Sequence, residues 1–323
     1  MKYPALPKIP LIITGFTATG KTKLALELAQ EFKLQIISAD SRQIFQELDI
    51  GTGKYSPTQQ IQIQDNFVLI DNVRVFGLNL IRPDQSYSAA QFQSYIQRLF
   101  CQSNFPDSIM VGGTGQYIDG FLNPPNTYFV PPHPQLRAQL SRLEKQLTQS
   151  VYTALLQSLL CTLEPQKYHQ LNSSDAQNPR RLQRAIEVYL QPKSDLEPVR
   201  SLKHIPIIGL RAPLTWLEEH ISDRVDEMYT RGLKTEFEAI LKLYGPTIPA
   251  LQTIGYQEWL AQPELTDAQI LAHIKLHTRQ YAKRQFTYLK RFPQIKWFDV
   301  SLSGYAQAKE YCRNLLQTNT IAI

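Results

Sequence analysis

The chain has 323 residues and a formal net charge of +6, with 43% hydrophobic and 19% charged residues. That apolar content excludes a disordered polymer, and 14 Gly with 21 Pro exclude a collagen-like one. No apolar run approaches the roughly 20 residues that cross a bilayer, and at roughly 150 residues per domain the length predicts two domains, or one with an insertion.

Lys2 and Lys8 ahead of Leu11-Ile12-Ile13 mimic a secretion signal, but the run is short and a glycine loop follows it. The run is therefore read as a first buried strand. Gly15 to Thr22 read as a loop, Lys23 to Phe32 as a helix, and Leu34 to Ser38 as a second strand. This βαβ start marks a parallel α/β sheet. Phe67 to Ile70 and Val73 to Phe76 flank Asp71-Asn72 as a β-hairpin would. Ser88 to Cys101 should be helical, and Ser108 to Val111 a strand ending at Gly112-Gly113.

Pro124, Pro125, Pro131, Pro132 and Pro134 then crowd one short stretch, which reads as a boundary. Leu136 to Leu190 follow a helical pattern with no strand signal. Strand-like residues return at Ile205 to Leu210, and one long helix is expected from Leu214 to Tyr244, closed by Gly245-Pro246. Thr266-x-x-Gln269 resembles a capping box opening another helix, and Trp297 to Val300 form the last expected strand. The expected fold class is α/β, with a P-loop core built on a central parallel sheet (residues 1–120 and 200–323) and a helical insertion domain (121–199).

Gly15-Phe16-Thr17-Ala18-Thr19-Gly20-Lys21-Thr22 fits G-x-x-x-x-G-K-[ST] in full, between a strand and a helix as the motif requires. Its amides and the helix N-terminus favour an anion, Lys21 neutralises phosphate oxygens, and the Thr22 hydroxyl can bind Mg²⁺. The motif specifies a di- or triphosphate site, not phosphoryl transfer. Asp40 leaves the carboxyl end of the second strand, where ligands of open α/β sheets collect. It is a candidate general base or, equally, a helix N-cap. Phe67-Val-Leu-Ile-Asp71 has the form of an ATPase aspartate motif, but Asp71-Asn72 fits a hairpin turn better. That absence counts against a motor or switch NTPase.

Arg180, Arg181 and Arg184 open one helix. From Ala268 to Phe298 every Asp, Glu, Lys or Arg position is basic. A solvated helix face is the usual reading of such runs, but the lack of acids favours a polyanion surface. His273 and His277 stand at i, i+4 without the glutamate of a zinc-protease helix, and are expected to be structural or solvated. Cys101, Cys161 and Cys312 lie far apart, so neither a zinc cluster nor a disulfide framework is expected, and a reduced, cytoplasmic location is.

At these residues the sequence closely resembles the bacterial tRNA dimethylallyltransferases, or tRNA isopentenylpyrophosphate transferases. The resemblance runs through ordered motifs: the Gly15–Thr22 loop, Ser38-Ala-Asp-Ser-Arg-Gln43, Asp49-Ile-Gly-Thr-Gly-Lys54, Tyr87-Ser-Ala-Ala90 and Val111-Gly-Gly-Thr-Gly-Gln-Tyr117. It continues through Pro179-Arg-Arg-Leu-Gln-Arg-Ala-Ile-Glu-Val188, Arg224-Val-Asp-Glu-Met228, Ile254-Gly-Tyr256 and Thr278-Arg-Gln-Tyr-Ala-Lys-Arg-Gln285. It implies transfer of a dimethylallyl group from its diphosphate to N6 of adenosine 37 in the tRNA anticodon stem-loop.

By that resemblance the donor diphosphate lies on Gly15, Phe16, Thr17, Ala18, Thr19, Gly20, Lys21 and Thr22, with Mg²⁺ on Thr22. Asp40 is the base, and Thr17 and Arg224 stabilise the leaving group. Asp40, Ser41, Arg42, Gln43, Thr114, Arg180, Arg181, Leu182, Gln183 and Arg184 match tRNA-contacting segments. A monomer with no membrane association is expected. Phe16 and Thr19 replace the common Pro and Ser, Asn79 and Asn178 stand where Asp is usual, and His220, Gln252 and Gln257 stand where Arg is frequent. Residues 56–72 are longer than usual. The competing readings are an adenylate isopentenyltransferase, a P-loop nucleotide kinase, and a noncatalytic RNA-binding protein.

Overall fold

The computed structural model describes residues 9–102, 105–124, 130–190, 202 and 204–321. Pro125 of the proline-rich boundary and residues 191–199 of the expected insertion lie outside them. The chain divides into two compact units, Met1–Leu122 with Leu202–Ile323, and Asn123–Ser201.

The larger unit opens with β1 (Ile12–Gly15), α1 (Lys21–Phe32) and β2 (Gln35–Ser38). The edge strands β3 (Ile61–Ile63), β4 (Val68–Ile70) and β5 (Val73–Phe76) follow, then α2 (Ala89–Phe100), β6 (Ser108–Val111) and α3 (Gly115–Leu122). The smaller unit holds α4 (Pro134–Gln146), α5 (Gln149–Leu163), α6 (Pro165–His169), α7 (Ser173–Ala176) and α8 (Pro179–Leu190). The chain returns through β7 (Ile207–Arg211), α9 (Leu214–Thr230), α10 (Leu233–Tyr244), α11 (Gln257–Ala261), α12 (Asp267–Leu289), β8 (Ile295–Asp299) and α13 (Gly304–Ile321).

The eight strands form one sheet in the order β3-β4-β5-β2-β6-β1-β7-β8. All pairs from β5 to β8 are parallel, and β3-β4-β5 are antiparallel. β1, an interior strand, is wholly buried and pairs with β6 and β7. Continuous apolar strands suit a sheet covered on both faces. One core layer packs Leu11, Ile13, Leu24, Leu28 and Cys312, and the other packs Ile12, Phe16, Ile37, Phe92 and Met110.

β4 and β5 join through Asp71 and Asn72, both at positive φ (48° and 66°), as a two-residue hairpin of primed type requires. The Asp71 carboxylate accepts the Gln60 amide at 2.9 Å, so this residue is a turn and no nucleotide ligand. The long segment 56–72 supplies β3 and its connection, a strand that the pattern did not announce. The long helix expected from Leu214 to Tyr244 is two helices. Gly232, at φ 98°, breaks it: a left-handed residue after Arg231 ends α9 and starts α10 in a new direction. Thr266 and Gln269 form the capping box on α12.

The smaller unit has its own apolar core of Leu140, Tyr152, Leu156, Leu160, Leu182 and Ile186. Glu187 is buried beside it and accepts from Arg137 at 2.5 and 2.9 Å and from Arg184 at 3.1 Å. Burial pushes its carboxyl up, but the hydrogen bonds from Arg137 and Arg184 hold it below the usual carboxylate range.

Candidate active site

The phosphate loop begins where β1 meets β7. A Cβ on Gly15 (φ 130°) would lie 2.0 Å from the Leu210 carbonyl oxygen, so only glycine can make the exit. Ala18 and Gly20 also take positive φ, at 62° and 83°. The Thr19 hydroxyl and Lys21 Nζ both donate to the Phe16 carbonyl, at 2.7 and 2.5 Å. The Phe16 ring leaves the loop for the core and meets Phe286 edge-on at 5.3 Å. Phe16 therefore contributes backbone, not side chain, to an anion site.

Lys21, Asp40 and Arg224 line one cavity of about 370 Å³. Burial lowers the Lys21 ammonium to about 8; the Asp40 charge pulls it up, and that of Arg224 pushes it further down. Burial also lowers Arg224, against the upward pull of Asp40. Two cations close to one carboxylate, in a site that penalises their charge, suit an incoming anion. Thr17, Thr22, Arg42 and Gln43 share the cavity wall, and Ile221, Val225, Met228, Leu233 and Ile274 give it an apolar side.

Asp40 is not a helix N-cap, because residues 41–44 form turns. Its Oδ1 instead accepts the Arg42 amide at 2.9 Å. Thr114 accepts the Ser41 amide at 2.9 Å, and its own amide donates to the Ala39 carbonyl at 3.2 Å. Gln43 accepts from the Ser38 hydroxyl and donates to the carbonyls of Thr52 and Gly53. The expected residues Asp40 to Gln43 and Thr114 thus meet at the carboxyl ends of β2 and β6, beside the loop.

Three further residues organise the site. The Glu236 carboxylate accepts the amides of Asp49, Ile50 and Gly51 and the Tyr256 hydroxyl, all within 3.1 Å. That holds the Gly51–Lys54 segment in place, and a Cβ on Gly53 would stand 2.0 Å from the Arg224 guanidinium. No sequence signal marks Glu236, because its partners are mainly backbone. Gln285 accepts the Thr17 amide at 2.9 Å and donates to the Gly113 carbonyl at 3.1 Å. Burial and the nearby Asp40 push the Tyr281 phenol up to about 12. Both lie in the Thr278–Gln285 motif, which was the available signal.

In the smaller unit, Arg180 is exposed and its side chain has no ion pair among the described residues. Arg181 pairs with Asp175, and Arg184 binds Glu187 and donates to the Val130 carbonyl at 2.6 Å. Leu182 is fully buried in that unit's core, so its side chain cannot touch RNA; helical periodicity turns it away from Arg180. Gln183 is half-buried.

The basic run on α12 is also divided. Lys275 pairs with Asp226 at 2.7 Å and Arg279 with Glu218 at 3.0 Å, both acids on α9. His277 meets the buried Glu258 at 2.7 Å, and His220 stacks on Trp216 at 3.5 Å between ring centres. Asn79 accepts from Lys54 at 2.6 Å, so an amide serves where a carboxylate is usual.

A family model described as IPP transferase matches residues 43–292. The chain is 35% identical to a tRNA dimethylallyltransferase of Crocosphaera subtropica, over 90% of this chain and 92% of that one. It is also 35% identical to a tRNA dimethylallyltransferase of Thermosipho africanus, over 94% and 98%. The solved structure of a tRNA isopentenylpyrophosphate transferase from Staphylococcus epidermidis aligns with a TM-score of 0.62 at 25% identity, covering 96% of this chain and 98% of that one. The phosphate loop at the head of a mostly parallel sheet and this family match over most of the length agree, and the chain belongs to the IPP transferase family.

Proposed function

We propose that the chain transfers a dimethylallyl group from dimethylallyl diphosphate to N6 of adenosine 37 in tRNA. The observation that carries this reading is the convergence of Lys21, Arg224 and Asp40 on one cavity with polar and apolar walls. A diphosphate ester with a short hydrocarbon tail has the matching chemistry. The names of the relatives, tRNA dimethylallyltransferases, support transfer of a dimethylallyl group to tRNA.

In the proposed reaction the C1–O bond of the donor breaks and a bond forms between N6 and C1. The N6 proton passes to the Asp40 carboxylate, and the electron pair of the broken bond leaves on diphosphate. Delocalisation into the purine makes N6 a poor nucleophile, so a positioned carboxylate contributes about 10²–10⁴-fold. Lys21, Arg224, the Thr17 hydroxyl and the loop amides receive the leaving charge. The target base must leave its stack to reach a site at the carboxyl ends of β2 and β6.

Among the described residues no cluster of three or more His, Cys, Asp or Glu could hold a metal ion. Thr22 lines the cavity, and its hydroxyl is the group that would hold Mg²⁺ there. When bound, that ion would supply charge neutralisation on the diphosphate.

The anticodon stem-loop contact is assigned to Asp40–Gln43, Thr114, Arg180, Gln183 and, more weakly, the ion-paired Arg181 and Arg184. No helix among the described residues is long and apolar enough to cross a membrane. A monomer acting in the cytoplasm is the reading we adopt.

Incubation with labelled dimethylallyl diphosphate, unmodified tRNA and Mg²⁺, followed by nucleoside analysis, tests the proposal. Labelled N6-(dimethylallyl)adenosine from tRNA is the expected product. Preferential labelling of free AMP points to an adenylate isopentenyltransferase. Phosphoryl transfer from ATP points to a kinase, and RNA binding without turnover points to a noncatalytic protein.

A further inference from the structure

Gln285 lies deep in the larger unit, on the last turns of α12, with 5% of its surface exposed. Its amide is oriented unambiguously by its partners. The Thr17 N–H requires an acceptor and receives Oε1 at 2.9 Å; the Gly113 carbonyl requires a donor and receives Nε2 at 3.1 Å. A Cβ on Gly113 would stand 2.1 Å from that Nε2, so glycine is what admits the side chain. The Gly113 carbonyl belongs to the peptide that joins Gly113 to Thr114, so the contact continues along the backbone. Thr114 in turn accepts the Ser41 amide beside Asp40.

A path of hydrogen bonds and one shared peptide thus runs from Thr17 in the donor loop, through Gln285 and Gly113–Thr114, to Ser41 at the acceptor side. Each link joins a group that is costly to leave unpaired when buried, so a shift at one end is felt at the other. We propose that Gln285 is a positioning residue that couples the diphosphate loop to the acceptor turn, so that the two ligands bind with linked affinities. This rests on the donor and acceptor assignments above. Gln285 itself touches neither reacting atom; it acts through Thr17 and Gly113.

Linkage requires that each ligand change the other's affinity by the same factor. The test titrates a fluorescent anticodon stem-loop RNA with and without saturating inorganic diphosphate, and diphosphate with and without RNA. The unsubstituted protein is expected to show a reciprocal factor of about fivefold or more. Gln285→Met keeps the length of the side chain and removes both hydrogen bonds. It should bring the factor below about twofold while each ligand alone still binds. Gly113→Ala, which displaces the same amide from the other side, should do likewise and provides a second route if Gln285→Met does not fold. Failure of the unsubstituted protein to bind either ligand would overturn the donor and acceptor assignments themselves. Binding of both with no linkage, or with full linkage retained in a folded variant, would overturn only the role of Gln285.

Discussion

Asp40 and Lys21 are asked to do opposite things with charge, and their surroundings differ accordingly. Asp40 stands in a turn with one oxygen on the Arg42 amide, and is free of any helix-capping duty. Asp40→Asn preserves that shape and removes the base. Single-turnover transfer should fall by about 10²-fold or more while diphosphate binding is retained. Near-normal single-turnover rates would reject the assignment. Lys21 offers a pH test. Burial lowers its ammonium to about 8 in the ligand-free protein, so above that pH the loop loses the cation an incoming diphosphate needs. A bound diphosphate raises the same group, and binding then takes up one proton. Donor affinity should therefore be level below pH 8 and fall by up to about tenfold per unit above it. Calorimetric titration across pH 7 to 9.5 checks this, and Lys21→Ala should flatten the profile. A profile that keeps its slope in Lys21→Ala would assign the titration to another group.

Elements were legible where one physical cause dominates. The loop and α1 carry a complete motif, the Asp71-Asn72 turn needs two positive-φ residues, and Thr266 with Gln269 spells its own cap. Misreadings arose where two causes compete. The apolar periodicity of α9 runs on into α10, so the pattern looks continuous; the backbone of Gly232 overrules it. β3 is three residues long at the sheet edge, too short for a strand period to stand out. The all-basic run on α12 looked free of acids because its partners Glu218 and Asp226 come from α9. In the smaller unit, the Glu187 clamp between α4 and α8 joins residues far apart in sequence. Its folded carboxyl is held below the ordinary value of 4.5, so the clamp contributes fully above that pH and is lost as pH falls through the lowered value. Glu187→Ala should cost about 2 kcal/mol, moderated because Arg137 and Arg184 are part-exposed and can turn to water. Amide exchange in α8 should speed up accordingly at neutral pH and much less at pH 3. Equal effects at both pH values would mean that the clamp is steric rather than ionic.

At the scale of the whole molecule, the chemistry and one set of proposed RNA contacts belong to separate compact units. The moderately basic charge of the chain does not say where a polyanion binds; the pairing of individual arginines is more informative. Arg180, Arg181 and Arg184 look equivalent as a sequence cluster, yet Arg181 already meets Asp175 and Arg184 already holds Glu187 and the Val130 carbonyl. A phosphate must compete with those partners, whereas Arg180 is exposed and carries no ion pair among the described residues. Arg180→Ala should therefore raise the KM for tRNA more than Arg181→Ala does. It should reduce the slope of log affinity against log salt by roughly 0.7 to 0.9, the share of one phosphate contact. Donor binding should be unchanged, since Lys21, Thr17 and Arg224 all lie in the other unit. Arg184→Ala is expected to combine a small binding loss with the Glu187 destabilisation, so its tRNA effect should shrink at low temperature. Titrations at two salt concentrations, run beside a diphosphate-binding assay, separate these outcomes. Equal slopes for Arg180→Ala and the unsubstituted protein would return this helix face to plain solvated surface and move the RNA grip to the arginines of the larger unit.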